Sequence, residues 1–168
     1  MWVADASGDW VLDLESRKPR RIANIHCPKK PSDGDRIQVG EFIAEYRRVI
    51  HRPTGPTPAY NCHGLTFACR RTQIVDPNEV ELILVEDGYR KLELNEQIIG
   101  GDVAIWRQGC EIVHSGIVCY LSSEGVPWIL SKWSRYHEAI HNPFDCPYKD
   151  GTVVSYYRLG RYEPIVIR

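Results

Sequence analysis

From Tyr89 onward the chain turns to strand-like runs, and that stretch limits the fold most. Gly101-Asp102-Val103-Ala104-Ile105-Trp106-Arg107 is one run, Glu111 to Leu121 the next and Trp128 to Trp133 a third. A loop at Gln108-Gly109 and a turn at Ser122-Ser123-Glu124-Gly125 separate them. Links that short join antiparallel neighbours, because a parallel pair needs a long crossover. A later strand is expected over Thr152 to Arg158, with Pro164 to Arg168 closing the sheet. Before this meander the pattern is helical. Asn61 is a good N-cap for a helix from Cys62, on which Cys62, Leu65, Thr66 and Cys69 share a stripe. Asp76-Pro77-Asn78-Glu79 starts a second helix with Pro at N1, running through Val80 to Leu84 and stopping at Gly88. Helices first and strands after describe an α+β fold with helices packed on an antiparallel sheet, not a βαβ alternation.

The first 58 residues look loop-rich and are assigned to the same domain as the core over 59–168. Trp2-Val3-Ala4 and Trp10-Val11-Leu12 flank the turn signal Ser7-Gly8-Asp9, which predicts a small hairpin. Three prolines and a glycine in Pro53 to Pro58 exclude regular structure and predict an extended arm. A chain of 168 residues suits one domain with one substantial core. Net charge is −1, so no global field draws it to nucleic acid. The basic cluster of Lys18, Arg20, Arg21, Lys29 and Lys30 reads as a solvated loop. No apolar run reaches the ~18 residues of a membrane span. The start of the chain shows no basic or apolar region of a signal peptide, which implies cytoplasmic residence or export by a route without one. Six cysteines are present without any CxxC, so neither a disulfide framework nor a metal site is expected, and no cofactor.

Cys62 carries the chemistry. As the first residue of a capped helix its sulfur would sit beside unpaired N–H groups and the positive end of the helix dipole. That setting favours the thiolate, and the Cys62 N–H would serve an oxyanion. Gly64 is expected to remove bulk near the sulfur. His114 shares a strand face with Ile112, Gly116 and Val118, where an ionisable group is costly without a partner. Gly116 on that face would let the Cys62 helix approach, giving a thiol–imidazole pair for acyl transfer.

Asn-Cys-His-Gly-Leu at a helix start, then Gly-Asp-Val-Ala-Ile-Trp, then Val-His-Ser-Gly-Ile-Val resembles the NlpC/P60 and CHAP branch of papain-like cysteine peptidases and amidases. Positions 60 to 69 and 100 to 133 carry the resemblance. It implies a papain-like fold, with Cys62 as nucleophile and His114 as base. The third polar residue departs from the family pattern. His141 is favoured for it, as part of a loop of fixed shape suggested by Asn142-Pro143 and Cys146-Pro147-Tyr148, with Ser131 as the alternative on the strand after His114. Tyr60 and Asn61 beside the nucleophile are candidates for oxyanion or substrate contact. So are His63, turned about 100° from Cys62 around the helix, and Trp133. Cys69 should be core. The implied activity is hydrolysis of an amide bond in a peptidoglycan-like peptide, or in a protein if the chain is a bacterial effector or toxin. In that second case a cognate inhibitor or immunity protein is the expected partner. A thiol acyltransferase and a catalytically silent interaction module on the same fold are the alternatives.

Overall fold

The computed structural model describes residues 1–4 and 10–160. The expected turn at Ser7-Gly8-Asp9 and the expected strand over Pro164 to Arg168 lie outside them. Strands β1 (Trp2–Ala4) and β2 (Trp10–Leu12) pair antiparallel as a separate ribbon. Among the described residues the main sheet has seven strands: β3 (Ile50–His51), β4 (Tyr89–Lys91), β5 (Val103–Gln108), β6 (Glu111–Leu121), β7 (Pro127–Lys132), β8 (Glu138–His141) and β9 (Val153–Leu159). Their order is β3-β8-β7-β6-β5-β9-β4, and every pairing is antiparallel. The meander β5 to β8 follows chain order, as its short links require.

Among the described residues there are three helices, of which two lie against strands of this sheet. Helix α1 (Asp33–Glu45) occupies a stretch read above as loop. It starts at a reciprocal cap: the Asp35 N–H donates to Ser32 Oγ at 3.2 Å and the Ser32 N–H donates to Asp35 Oδ2 at 2.7 Å. Its apolar residues form no stripe, since Ile37 and Ile43 are exposed and Phe42 docks the helix through a ring contact with Trp133 at 5.4 Å. A helix held by one aromatic, an ion pair and a cap has little periodic signal to read. Helices α2 (Cys62–Phe67) and α3 (Pro77–Glu86) begin where the capping residues predict, at Asn61 and Asp76.

The sheet separates two cores. On one face Val103, Ile105 and Ile112 pack with Ile74, Val80, Ile83 and Leu84. On the other, Ala104, Trp106, Val118, Ile129, Trp133 and Ala139 pack with Tyr46 and Val49. Strand alternation divides β6 between them, and a bulge opposite Trp106 and Arg107 puts Ile112 on the face away from His114, against the expectation that the two share one. Trp106 is the cross-strand partner of His114 and Ile105 that of Ser115, so these two neighbours point to opposite faces.

Four local expectations are corrected here. A Cβ on Gly64 would fall on the carbonyl oxygen of Thr72, so this glycine seats α2 against the 72–74 segment and does not serve to clear the sulfur. A Cβ on Gly116 would lie 2.8 Å from the carbonyl oxygen of Leu130 and 3.1 Å from Ser131 Cβ, so the element that approaches it is β7, not α2. Cys69 is exposed, because α2 ends at Phe67 and both Cys69 and Arg70 adopt left-handed backbone, at φ 50° and 64°. His141 ends strand β8 opposite Ile129 and does not sit in a loop.

Gly64→Ala should therefore cost about 2–3 kcal/mol, since the clash is with backbone and no rotamer change relieves it. A urea denaturation midpoint equal to that of the parent protein would contradict this packing.

Candidate active site

Asn61 places Cys62. Its side-chain Oδ1 accepts from the Gly64 N–H at 2.8 Å and from the Ile74 N–H at 3.2 Å, and its Nδ2 donates to the Ile74 carbonyl at 2.6 Å. All of its hydrogen-bonding groups thus go to backbone, which ties the start of α2 to residue 74. Cys62 is 7% exposed. Burial pushes its thiol up to about 11. Against burial act the N–H groups of Ser115, His63 and Cys62 itself, which hydrogen-bond to the sulfur, and the charge of Lys132. The helix-start effect is present, but desolvation outweighs it, and the resting group is a thiol.

His114 is fully buried. Its ring stacks on Tyr148 with centroids 3.9 Å apart and 12° between planes, and meets the Trp106 ring edge-on at 4.9 Å. Neither ring nitrogen has a hydrogen-bond partner among the described residues. Burial, then the neighbouring imidazoles of His141 and His63, hold it well below the usual histidine range. It is therefore a neutral base with both nitrogens unpartnered.

Cys62 and His114 lie toward opposite faces of β6, near the end of a strand pairing. α2 packs on the Ser115 side of β6, whereas the His114 side chain belongs to the Trp106 side. Pairing between β6 and β7 ends at Gly116 and Ser131. Beyond that point the Ser115 N–H turns to the Cys62 sulfur, one residue from His114. Tyr148, stacked on His114, also lies within electrostatic reach of Cys62. No hydrogen bond joins thiol and imidazole among the described residues.

The candidates for third residue bond each other. His141 Nδ1 lies 2.7 Å from the carbonyl oxygen of its neighbour Asn142, which makes Nδ1 the protonated nitrogen. Its Nε2 then accepts from Ser131 Oγ at 2.7 Å. Neither residue bonds His114. Tyr60 donates its single hydroxyl proton to Glu138 Oε1 at 2.7 Å, so that proton is committed away from an oxyanion. His63 is buried, and its Nδ1 pairs with Ser115 Oγ at 2.8 Å. Ser115 Oγ donates to Thr66 Oγ1 at 3.0 Å, and Thr66 donates to the Cys62 carbonyl at 2.9 Å. This chain of bonds pins α2 to β6 and leaves His63 facing the sheet. Trp133 is fully buried among Phe42, Tyr46, His51, His137 and His141, out of reach of a substrate in this state.

Residues the sequence reading passed over also belong to the site. Lys132 and Glu138 are fully buried on the α2 side of the sheet, and Arg70 binds Glu138 through Nε at 2.6 Å and a second nitrogen at 3.1 Å. Burial pushes the Glu138 carboxyl up, and hydrogen bonds from Arg70 and Tyr60 more than reverse this. Among the described residues no group of three His, Cys, Asp or Glu is disposed to hold a metal ion, and no helix is long and apolar enough to cross a membrane. No protein-family model, curated protein or solved structure matches this chain.

Burial lowers His63 and His141 from 6.5 to about 4. Between those values the unfolded chain binds protons that the folded chain refuses, so stability is intact above about pH 6.5 and falls as pH drops toward 4. The loss is at most about 3 kcal/mol per histidine. Urea midpoints should decline from pH 7 to pH 4.5, and the imidazole resonances of both residues should hold their neutral shifts across that range.

Proposed function

We propose that this chain is a thiol hydrolase of amide bonds, with Cys62 as nucleophile and His114 as base, on a papain-like scaffold of the NlpC/P60 and CHAP kind. The observation that carries the reading is the pairing of two otherwise costly features. A cysteine opens a capped helix with three backbone N–H groups at its sulfur, one of them from Ser115, and the buried imidazole of the adjacent residue His114 keeps both nitrogens unpartnered. A buried polar group without a partner is expensive, and a histidine that must take and return a proton needs a free nitrogen.

Chemistry follows from neutral partners. Cys62 attacks the amide carbonyl as its proton passes to His114. The carbonyl oxygen takes up the electron pair and becomes the oxyanion, facing the same N–H groups that surround the sulfur. Collapse breaks the C–N bond, His114 protonates the leaving amine, and a thioester remains on Cys62. Water, activated by His114, then releases the acid and the thiol. Both reacting groups are covered at rest, so a substrate must displace what lies over them, and the half-buried Tyr148 is the ring in that position. A peptidoglycan stem peptide or a protein amide is the proposed substrate. A cognate inhibitor is the corresponding partner if the chain acts as an effector.

A catalytically silent module is the second reading. The raised thiol and the missing Cys62–His114 hydrogen bond favour it.

Incubation with muropeptides and with amide-bearing proteins separates the two. Cys62→Ala should abolish turnover and His114→Ala should lower it by about 10³-fold or more, with unfolding curves near the parent's. A thioester on Cys62 should be visible by mass spectrometry. Retained turnover in folded Cys62→Ala overturns the hydrolase. Absence of turnover, with Cys62 alkylated more slowly than the exposed Cys69, Cys110 and Cys119 throughout, selects the silent module.

A further inference from the structure

Lys132 is a fully buried ammonium, and among the described residues no ion pair within 4.0 Å neutralises its charge. Its Nζ donates to the carbonyl oxygen of Tyr136 at 3.1 Å and sits over the Tyr60 ring, 4.9 Å from the centroid. Glu138, its cross-strand partner, is the obvious counter-ion. Yet that carboxylate is already engaged by both Arg70 contacts and by the Tyr60 hydroxyl, and no ion pair within 4.0 Å joins it to Lys132 among the described residues. A buried lysine normally either pairs closely or is replaced by an apolar residue. Here it stands beside the start of α2, over the ring two residues before Cys62.

Resting on Cys62 as the nucleophile, we propose that Lys132 is the positioning cation of the site: its buried ammonium stabilises negative charge on the Cys62 sulfur when the proton leaves for His114. Lys132 keeps its three protons throughout, so the step moves one proton from sulfur to imidazole and no other. This role gives the unneutralised charge a purpose. It also offsets the burial that otherwise holds Cys62 as a thiol, since an opposite charge in a poorly solvated site favours the ionised form.

The charged and titratable groups around this pair are known. Tyr60 and Cys62 face Lys132 from the start of α2, Arg70 lies just beyond that helix, and Glu138 faces it from β8. His137 senses its charge from the turn before β8. Around Cys62 stand Tyr148 from the 142–152 loop, the adjacent His63 and the Ser115 backbone, which follows His114 in sequence. Burial lowers Lys132 to about 8, although Glu138 and Cys62 both act to raise it. The cation is therefore present at neutral pH and lost above it.

That titration supplies the test. Alkylation of Cys62 by iodoacetamide is followed by mass spectrometry from pH 6.5 to 10.5 in the whole protein, with the exposed Cys69, Cys110 and Cys119 as internal references. Lys132→Met should slow Cys62 by about tenfold at pH 7, the effect of moving a thiol by one unit or more. Parent and variant should converge above about pH 9, where the parent lysine is neutral. Lys132→Arg should keep the parent rate at pH 7 and exceed it above pH 9, because its charge is permanent. Parallel Met and parent profiles at every pH would overturn the proposal. So would a Lys132→Arg profile that follows Lys132→Met. Should the Met variant not fold, the Arg and parent profiles decide alone. No substrate is involved, so the outcome is separate from the hydrolase assignment. Flat profiles together with Cys62-dependent turnover remove Lys132 and leave the nucleophile. Shifted profiles without turnover keep the Lys132–Cys62 pair and remove the hydrolysis.

Discussion

Gly64 lies so close to the carbonyl of Thr72 that no side chain fits between them, and the position of Cys62 follows from that contact. Asn61 reinforces it by spanning from the first turn of α2 to both backbone groups of Ile74. The helix is only six residues long, too short to hold a direction by its own hydrogen bonds. Its orientation is imposed from outside, by the 72–74 segment on one side and by the His63–Ser115–Thr66 bonds on the other. A nucleophile on such a helix is placed by tertiary contacts and not by helix propensity.

Two electrostatic tendencies oppose each other at that position. Backbone N–H groups at a helix start favour a thiolate, and removal from water favours a thiol. Burial wins in the closed state, which leaves Cys62 and His114 both neutral. Neutrality spares these two groups the cost of a desolvated charge, while the unpartnered nitrogens of His114 remain a cost. Reactivity then depends on what changes when the covering groups move and on the fixed charge held nearby at Lys132.

The sheet carries many buried polar side chains, and their bonds are arranged by face. On the Trp106 side, Ser131 and His141 satisfy each other and His114 stays unpartnered. On the α2 side, Glu138 gathers Tyr60 and Arg70 from two ends of one short helix, and so pulls the left-handed turn after α2 onto the strand. Alternation along β6, β7 and β8 thus sorts adjacent residues such as Ser131 and Lys132 into different chemical environments.

Much of the framework was legible. Caps at Asn61 and Asp76 and the short links of the meander are local signals, decided by residues close in sequence, and the strands and helices they predict stand within a residue or two of the expected places. Cys62 at a helix start and His114 on a strand were legible for the same reason. Helix α1 was not, because the ring contacts of Phe42, an Asp35–Arg135 ion pair and a cap hold it where periodicity is absent. Nor were the partners of Gly64 and Gly116, the bond between Ser131 and His141, or the burial of Lys132. These depend on which strand face meets which helix and on where β6 parts from β7. Hydrophobic patterning and capping act over a few residues and so are written in the sequence itself. Close backbone approach, desolvation and the sharing of a carboxylate exist only once distant segments are packed together.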